Sequence, residues 1–274
     1  MQGIKEFIPT DKKVAYIQSL LRVGFDTIDF GSFVSPKAIP QMQDTAVVLS
    51  KLDLSQTKSK LLAIVANTKG AELACQHPEI QYLGFPFSIS ENFQMRNTHK
   101  TIAQSLVTLQ EILNLANQHN KEVVTYISMG FGNPYGDPWN TEIVGQWTET
   151  LAKMGVTILS LSDTVGSSTP AIITNLFSNL IPKYPKIEFG AHLHTTLNTW
   201  HEKIDAAYQA GCLRFDGAIQ GFGGCPMAKD VLTGNMPTEK LLSYFTQHKA
   251  NTNTSPMSFE SSYNEATKVF TQYH

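Results

Sequence analysis

The 274-residue chain carries 42% hydrophobic, 10% aromatic and 16% charged residues and a net charge of -2. That composition is long enough and apolar enough for one α/β domain with a large core, and it excludes a collagenous, disulfide-stapled or disordered protein. Without a basic field, nucleic acid and anionic membrane surfaces are not expected partners. Without an apolar run of spanning length or a leader-like N-terminus, the expected location is the cytoplasm.

In chain order, residues 11–23 place Val14, Ile17, Leu20 and Leu21 at helical spacing, and Gly24 stops the helix. TIDF (27–30) reads as a strand, followed by a helix near 42–54 and the apolar strand 61–65. A short helix from Lys69 leads to a strand at 80–83. One long helix, 98–119, leads to the strand VVTYIS (123–128). Helix 140–154, strand TILSL (157–161), helix 169–181 and strand IEFGA (187–191) follow, then helix 197–210, strand RFDGA (214–218) and helices at 238–248 and 258–271. The strands are near-continuously apolar, as parallel strands covered on both faces are. Seven βα units at this spacing predict a single-domain TIM (βα)8 barrel over 1–274 that lacks its first strand. A barrel with two unpaired edges is expected to associate, so a homo-oligomer is expected.

Barrel chemistry gathers where strands end. Asp29 stands there, before GSFVSPK. So do Asn67 with Lys69, Ser128 before GFGNPYG, and Asp163 in SLSDTVG. Each fits a turn or helix-cap role as well as a chemical one. In AHLH (191–194), residues two apart on a strand share a face, so His192 and His194 can present two imidazoles to one point. That is a metal pair or a structural pair. The remaining histidines lack partners at ligand spacing and read as surface. In GFGGCPMAKDVLTGN (221–235) glycines precede Cys225 and Pro226 follows it, which makes Cys225 a candidate acid or nucleophile. Cys75 and Cys212 read as packed small hydrophobes. Asn235 is an amide ligand or a turn residue.

In this order GSFVSPK with PQM, SLSDTVG, AHLH and GFGGCP resemble the hydroxymethylglutaryl-CoA lyases of the metal-dependent, pyruvate-carboxyltransferase-like barrel superfamily, over nearly the whole chain. The resemblance implies a carbon–carbon lyase that splits a 3-hydroxy-3-methylglutaryl thioester with Mg²⁺ or Mn²⁺, and an acyl-CoA as its small-molecule partner. It implies His192, His194 and Asn235 as metal ligands, and Cys225, His192, Asp29 and Asp163 as catalytic residues. Gln2, Ser32, Ser35, Asn67 and Ser128 are implied at the substrate. The chain departs from the family at several places. An Arg–Asp pair ends the family's first strand shortly before a glutamine that Gln2 matches, and the pair is missing here. The expected reasons are a start codon placed too late or a natural loss, and either would impair the lyase. Asp29 replaces a usual Glu, and the stretch from Cys225 to Asn235 is one residue longer. Val124 stands where an arginine is usual and Asn133 where a cysteine is, which leaves a different 3-hydroxyacyl substrate or a non-catalytic relative open.

Overall fold

The computed structural model describes residues 1–223 and 233–273. Seven strands, β1 (Thr27–Ser32), β2 (Lys60–Ile64), β3 (Ile80–Ser88), β4 (Glu122–Ser128), β5 (Ile158–Ser162), β6 (Glu188–His192) and, after a two-residue β7 (His194–Thr195), β8 (Arg214–Phe215), alternate with helices. All but β7 form one parallel sheet in the order β1-β2-β3-β4-β5-β6-β8. β7 pairs antiparallel with β9 (Gly234–Asn235) at the end of that sheet. The helices are α1 (Thr10–Leu21), α2 (Thr45–Ser50), α3 (Thr68–Cys75), α4 (Glu91–Thr98), α5 (Ile102–Gln118), α6 (Thr141–Lys153), α7 (Pro170–Lys183), α8 (Trp200–Gln209), α9 (Thr238–Gln247) and α10 (Pro256–Gln272). None among the described residues is long and apolar enough to cross a membrane.

The sheet curls into a TIM-like barrel wall, as contacts between non-neighbouring strands require. The Arg214 guanidinium of β8 lies 5.6 Å from the ring centre of Tyr82 on β3. Alternation sorts the strand residues: Leu61, Ala63, Leu83 and Val123 turn outward against the helices, while Leu62, Tyr82, Val124 and Ile158 turn inward and make a separate lumen cluster. Gly84 belongs to that inner layer for lack of room, because a Cβ there would sit 2.6 Å from Ile64 Cδ1 and 2.9 Å from Leu62 Cδ2.

Several sequence expectations change. The long helix expected at 98–119 is present as α5, and an unexpected short helix, α4, precedes it and ends at His99 in a left-handed conformation (φ 55°). Thr101 and Gln104 close a reciprocal capping box. The expected helix at 42–54 shrinks to α2 plus a single turn at Pro40–Met42. There the buried Gln41 side chain accepts from Ile8 N at 2.9 Å and donates to Glu6 O at 2.8 Å, tying down the N-terminal segment. β3 runs five residues past the expected strand, and RFDGA keeps only Arg214–Phe215 as strand. Cys75 and Cys212 are buried free thiols as expected, and burial pushes Cys212 up to about 12.

Thr101→Ala removes the hydroxyl that caps α5 and should lower stability by about 1 kcal/mol in urea denaturation, whereas Thr101→Ser should retain it. Equal loss in both variants would mean that the methyl group, not the cap, matters.

Candidate active site

His192 closes β6. Leu193 then turns away, 2% exposed, into the outer core, and its carbonyl accepts from Met236 N at 3.0 Å. His194 opens β7 opposite Asn235 of β9. The two histidines therefore do not share one regular strand, yet their rings lie 5.6 Å apart, tilted by 53°. His192 Nδ1 is 3.1 Å from Asp216 Oδ2, which also accepts from Ser160 Oγ at 3.2 Å. Asp216 was not singled out in the sequence. It stands just past β8, as Asp163 stands just past β5, so the strand-end rule applied to RFDGA would have found it; Asp29 itself lies inside β1, which runs on to Ser32.

The electrostatics follow from how these groups share charge. Burial works against ionising Asp216, but its hydrogen bond and ion pair with His192 prevail and hold its carboxyl below the ordinary range. For His192 burial again opposes the charged form, and the Asp216 hydrogen bond and charge outweigh it, so the imidazole is raised. Asp29 faces the same lumen from β1. Although it keeps contact with water, protein surrounds it, and burial followed by repulsion from Asp216 pushes it up to about 7. Tyr126, edge-on to His192 with centroids 5.6 Å apart, is raised well above 10 by burial and then by the two carboxylates. His194 goes the other way: burial, then the charges of His192 and Lys203, push it down to about 3.

These residues fit a divalent cation. His194 is a neutral imidazole whose Nδ1 is buried with no hydrogen-bond partner among the described residues, and a neutral imidazole is a ligand without first losing a proton. His192, its Nδ1 oriented by Asp216, keeps Nε2 free, the arrangement in which an outer carboxylate sets a ligand histidine. The Asn235 side chain is within hydrogen-bond reach of His194, and its Nδ2 donates to Phe222 O at 2.9 Å. Among the described residues no group of three His, Cys, Asp or Glu side chains stands at ligand spacing, so the donor set is two imidazoles and an amide oxygen.

The other expected residues lie as follows. Asp163 is fully buried: it accepts from Ser168 N at 3.0 Å, Ser168 Oγ at 2.5 Å and Lys203 Nζ at 2.8 Å, and its own N–H donates to His192 O at 2.9 Å. Ser32 donates from its N–H to Thr45 Oγ1 and accepts from Val34 N, Ser35 accepts from Lys37 N on the exposed loop, and Asn67 caps α3 through Gly70 N. Ser128 ends β4, where its carbonyl accepts from Ser88 Oγ, and Gln2 is exposed in the N-terminal segment. Cys225 and His274 lie outside the described residues. Asn133 orders its own loop, accepting from Tyr135 N and Asp137 N. Val124 is 0% exposed in the lumen cluster. An arginine still enters that layer, from β8, because Tyr82 packs against both Val124 and Arg214. His99, His119, His201 and His248 are exposed, and His248 stacks on Tyr244 at 4.0 Å.

The model of the HMGL-like family matches residues 1–262. The hydroxymethylglutaryl-CoA lyase of Bacillus subtilis is 32% identical over 92% of this chain and 84% of its own length. A Pseudomonas aeruginosa 3-hydroxy-3-isohexenylglutaryl-CoA/hydroxymethylglutaryl-CoA lyase is 32% identical over 88% of this chain and 80% of its own. Among solved structures, an HMG-CoA lyase from Acinetobacter baumannii, in complex with coenzyme A and 3-methylmalate, superposes with a TM-score of 0.89 at 28% identity, covering 98% of this chain and 87% of that one.

Two lumen groups, the water-accessible Asp29 and the buried His194, set an acid-stability test on the metal-free protein. The Asp29 carboxyl, raised from 3.8 to about 7, favours the folded state below pH 3.8, and that contribution is lost as pH rises through about 7. The His194 imidazole, lowered from 6.5 to about 3, gives a contribution present above pH 6.5 and lost as pH falls towards 3. Between 3.8 and 6.5 the two slopes oppose each other. Asp29→Asn should therefore make stability fall more steeply on acidification through that window, measured by denaturant titration in chelator. Parallel curves for parent and variant would refute the opposition.

Proposed function

Because the chain belongs to the HMGL-like family, we propose that it cleaves 3-hydroxy-3-methylglutaryl-CoA by a retro-aldol (Claisen-type) reaction into acetyl-CoA and acetoacetate. The observation that carries the reading is the imidazole pair at the strand ends, with the unpartnered His194 Nδ1 on one side and the His192–Asp216 pair on the other. The complex of a structural relative with coenzyme A and 3-methylmalate supports a thioester of a short hydroxyacid as substrate.

His192 Nε2, His194 and Asn235 would hold Mg²⁺ or Mn²⁺. Such a cation supplies Lewis-acid stabilisation of the substrate's hydroxyl oxygen as it loses its proton. A single Nε2 cannot both hold a cation and take a proton, and Nδ1 of His192 is committed to Asp216. Of the two proton-acceptor roles open in the lumen, this assigns the hydroxyl proton to Asp29, whose carboxyl near 7 is matched to gaining and losing a proton around neutrality. As that proton leaves, the C2–C3 bond breaks: C3 becomes the ketone of acetoacetate, and the bond's electron pair stays on C2 as the acetyl-CoA enolate. Cys225, by its place in the family motif, returns a proton to C2.

Acetoacetate release from the hydroxymethylglutaryl thioester, with Mg²⁺ or Mn²⁺ present, is the direct test. Asp29→Asn and Cys225→Ser should each lower turnover by ~10²-fold or more, the scale of losing a general acid or base, while Cys75→Ser leaves it unchanged. Absence of acetoacetate with either metal would overturn the lyase reading, and cleavage of a longer 3-substituted glutaryl thioester alone would reassign the substrate.

A further inference from the structure

Lys203 is an unusual residue to find inside. It sits in the first turn of α8, on the outer layer of the barrel, yet it is 2% exposed. Its ammonium donates to Asp163 Oδ2 at 2.8 Å, to His194 O at 2.9 Å and to Gly166 O at 3.1 Å. Three donors meet three acceptors, the full capacity of an ammonium group. Its carboxylate partner reaches the other histidine, for Asp163 N–H donates to His192 O at 2.9 Å. The Asp163–Lys203 pair thus grips the backbone carbonyls on both sides of Leu193, one per histidine. The grip extends to β9: Gly166 packs so closely on Thr233 that a Cβ there would lie 2.7 Å from Thr233 Cγ2, and Thr233 Oγ1 donates to Val165 O at 3.3 Å, one residue before β9 begins.

We propose that Lys203 is a positioning residue for the imidazole pair: anchored on α8, it fixes the break between β6 and β7 and so sets how His192 and His194 face a shared cation. β7 is only two residues long, and besides Lys203 it is held by its pairing with β9 and by Met236 N on the Leu193 carbonyl, so the ammonium on His194 O and Gly166 O is a third anchor, and the one that comes from outside the sheet. The proposal rests on the metal reading above, and it concerns a residue that touches neither cation nor substrate.

Charge and position make opposite predictions here, which gives the test its edge. Lys203 is a positive charge close enough to His194 to depress that imidazole. On electrostatics alone, Lys203→Met should tighten binding of a divalent cation. If the ammonium positions the ligands, the same substitution should weaken Mn²⁺ binding by ~10-fold or more, the scale seen when a group that orients a metal ligand is lost. Because Lys203→Met leaves Asp163 buried without its partner, Lys203→Met with Asp163→Asn is the companion variant, removing both charges together. Calorimetric titration of Mn²⁺ into whichever variant folds, checked by circular dichroism, reads the result. Affinity equal to or tighter than the parent's overturns the proposal. Should the parent bind no Mn²⁺, the metal reading fails by itself, and the ring ¹⁵N–¹H correlations of metal-free protein then decide. His192 and His194 signals that shift or broaden while exposed His119 stays fixed support positioning, and signals unchanged at both rings overturn it.

Discussion

Two carboxylates and one imidazole share the lumen of this barrel, and most of the site's chemistry follows from which carboxylate takes the imidazole. Asp216 has it, at 3.1 Å with Ser160 as a second donor. Asp29, on the far edge strand, is left facing another negative charge in surroundings that stabilise ions poorly, so it holds its proton up to about 7. Tyr126 stays protonated between them for the same reason. His194, pressed by burial and then by His192 and Lys203, is pushed down to about 3 and stays neutral. The one pair of His192 with Asp216 therefore bears, beside burial, on each of the other three groups.

The barrel keeps this cluster at its upper end by filling the layer below. Leu62, Tyr82, Val124 and Ile158 are nearly or fully buried there, and Gly84 leaves the space that Ile64 and Leu62 occupy. A packed floor excludes water and gives nothing for a polar ligand to reach. This bears on Val124, the position where related lyases carry arginine. Its side chain is part of the floor and cannot meet a substrate, so the substitution changes how the lumen is filled. The Arg214 guanidinium enters that floor from β8 against Tyr82, bonded to Glu188 at 3.0 Å, and Gly190 makes room for it, since a Cβ there would come within 3.1 Å of Arg214 Cδ.

The alternation of strand and helix was legible because both signals repeat along the chain: all seven sheet strands and the TIM-like architecture follow from periodicity. Breaks were less legible. The turn that His99 makes ends α4, the Thr101 cap starts α5 two residues later, and the polar ENFQMRNT of α4 carries no apolar spacing that would announce a helix. Of the site, His192 and His194 could be read from AHLH because two residues apart on a strand means one face. They still face one another here, but through a break at Leu193 that only the partners of its neighbours explain. Asp216 was passed over although it stands just past a strand, and Lys203 was not legible as a site residue, since its carboxylate partner lies 40 residues away. Asn67, chosen for standing at a strand end, caps a helix, and Ser32, implied by the family resemblance, orders a loop, the alternative that short polar residues at such places carry.

The buried Asp163–Lys203 pair is a poor way to gain stability, because taking both ions out of water offsets most of their attraction, and apolar residues of the same size would pack at least as well. What apolar residues could not do is hold three separate pieces of backbone at once. The ammonium's three protons go to one carboxylate and two carbonyls, and the carboxylate's oxygens go to that ammonium and to Ser168, so every polar group in the knot is satisfied. A leucine at 203 would fill the volume and leave the carbonyls of His194 and Gly166 without this donor in a dry interior. The pair thus trades binding strength for location. On the proposed reading, two imidazoles on either side of a strand break would hold one cation, and there location is what the chemistry would require.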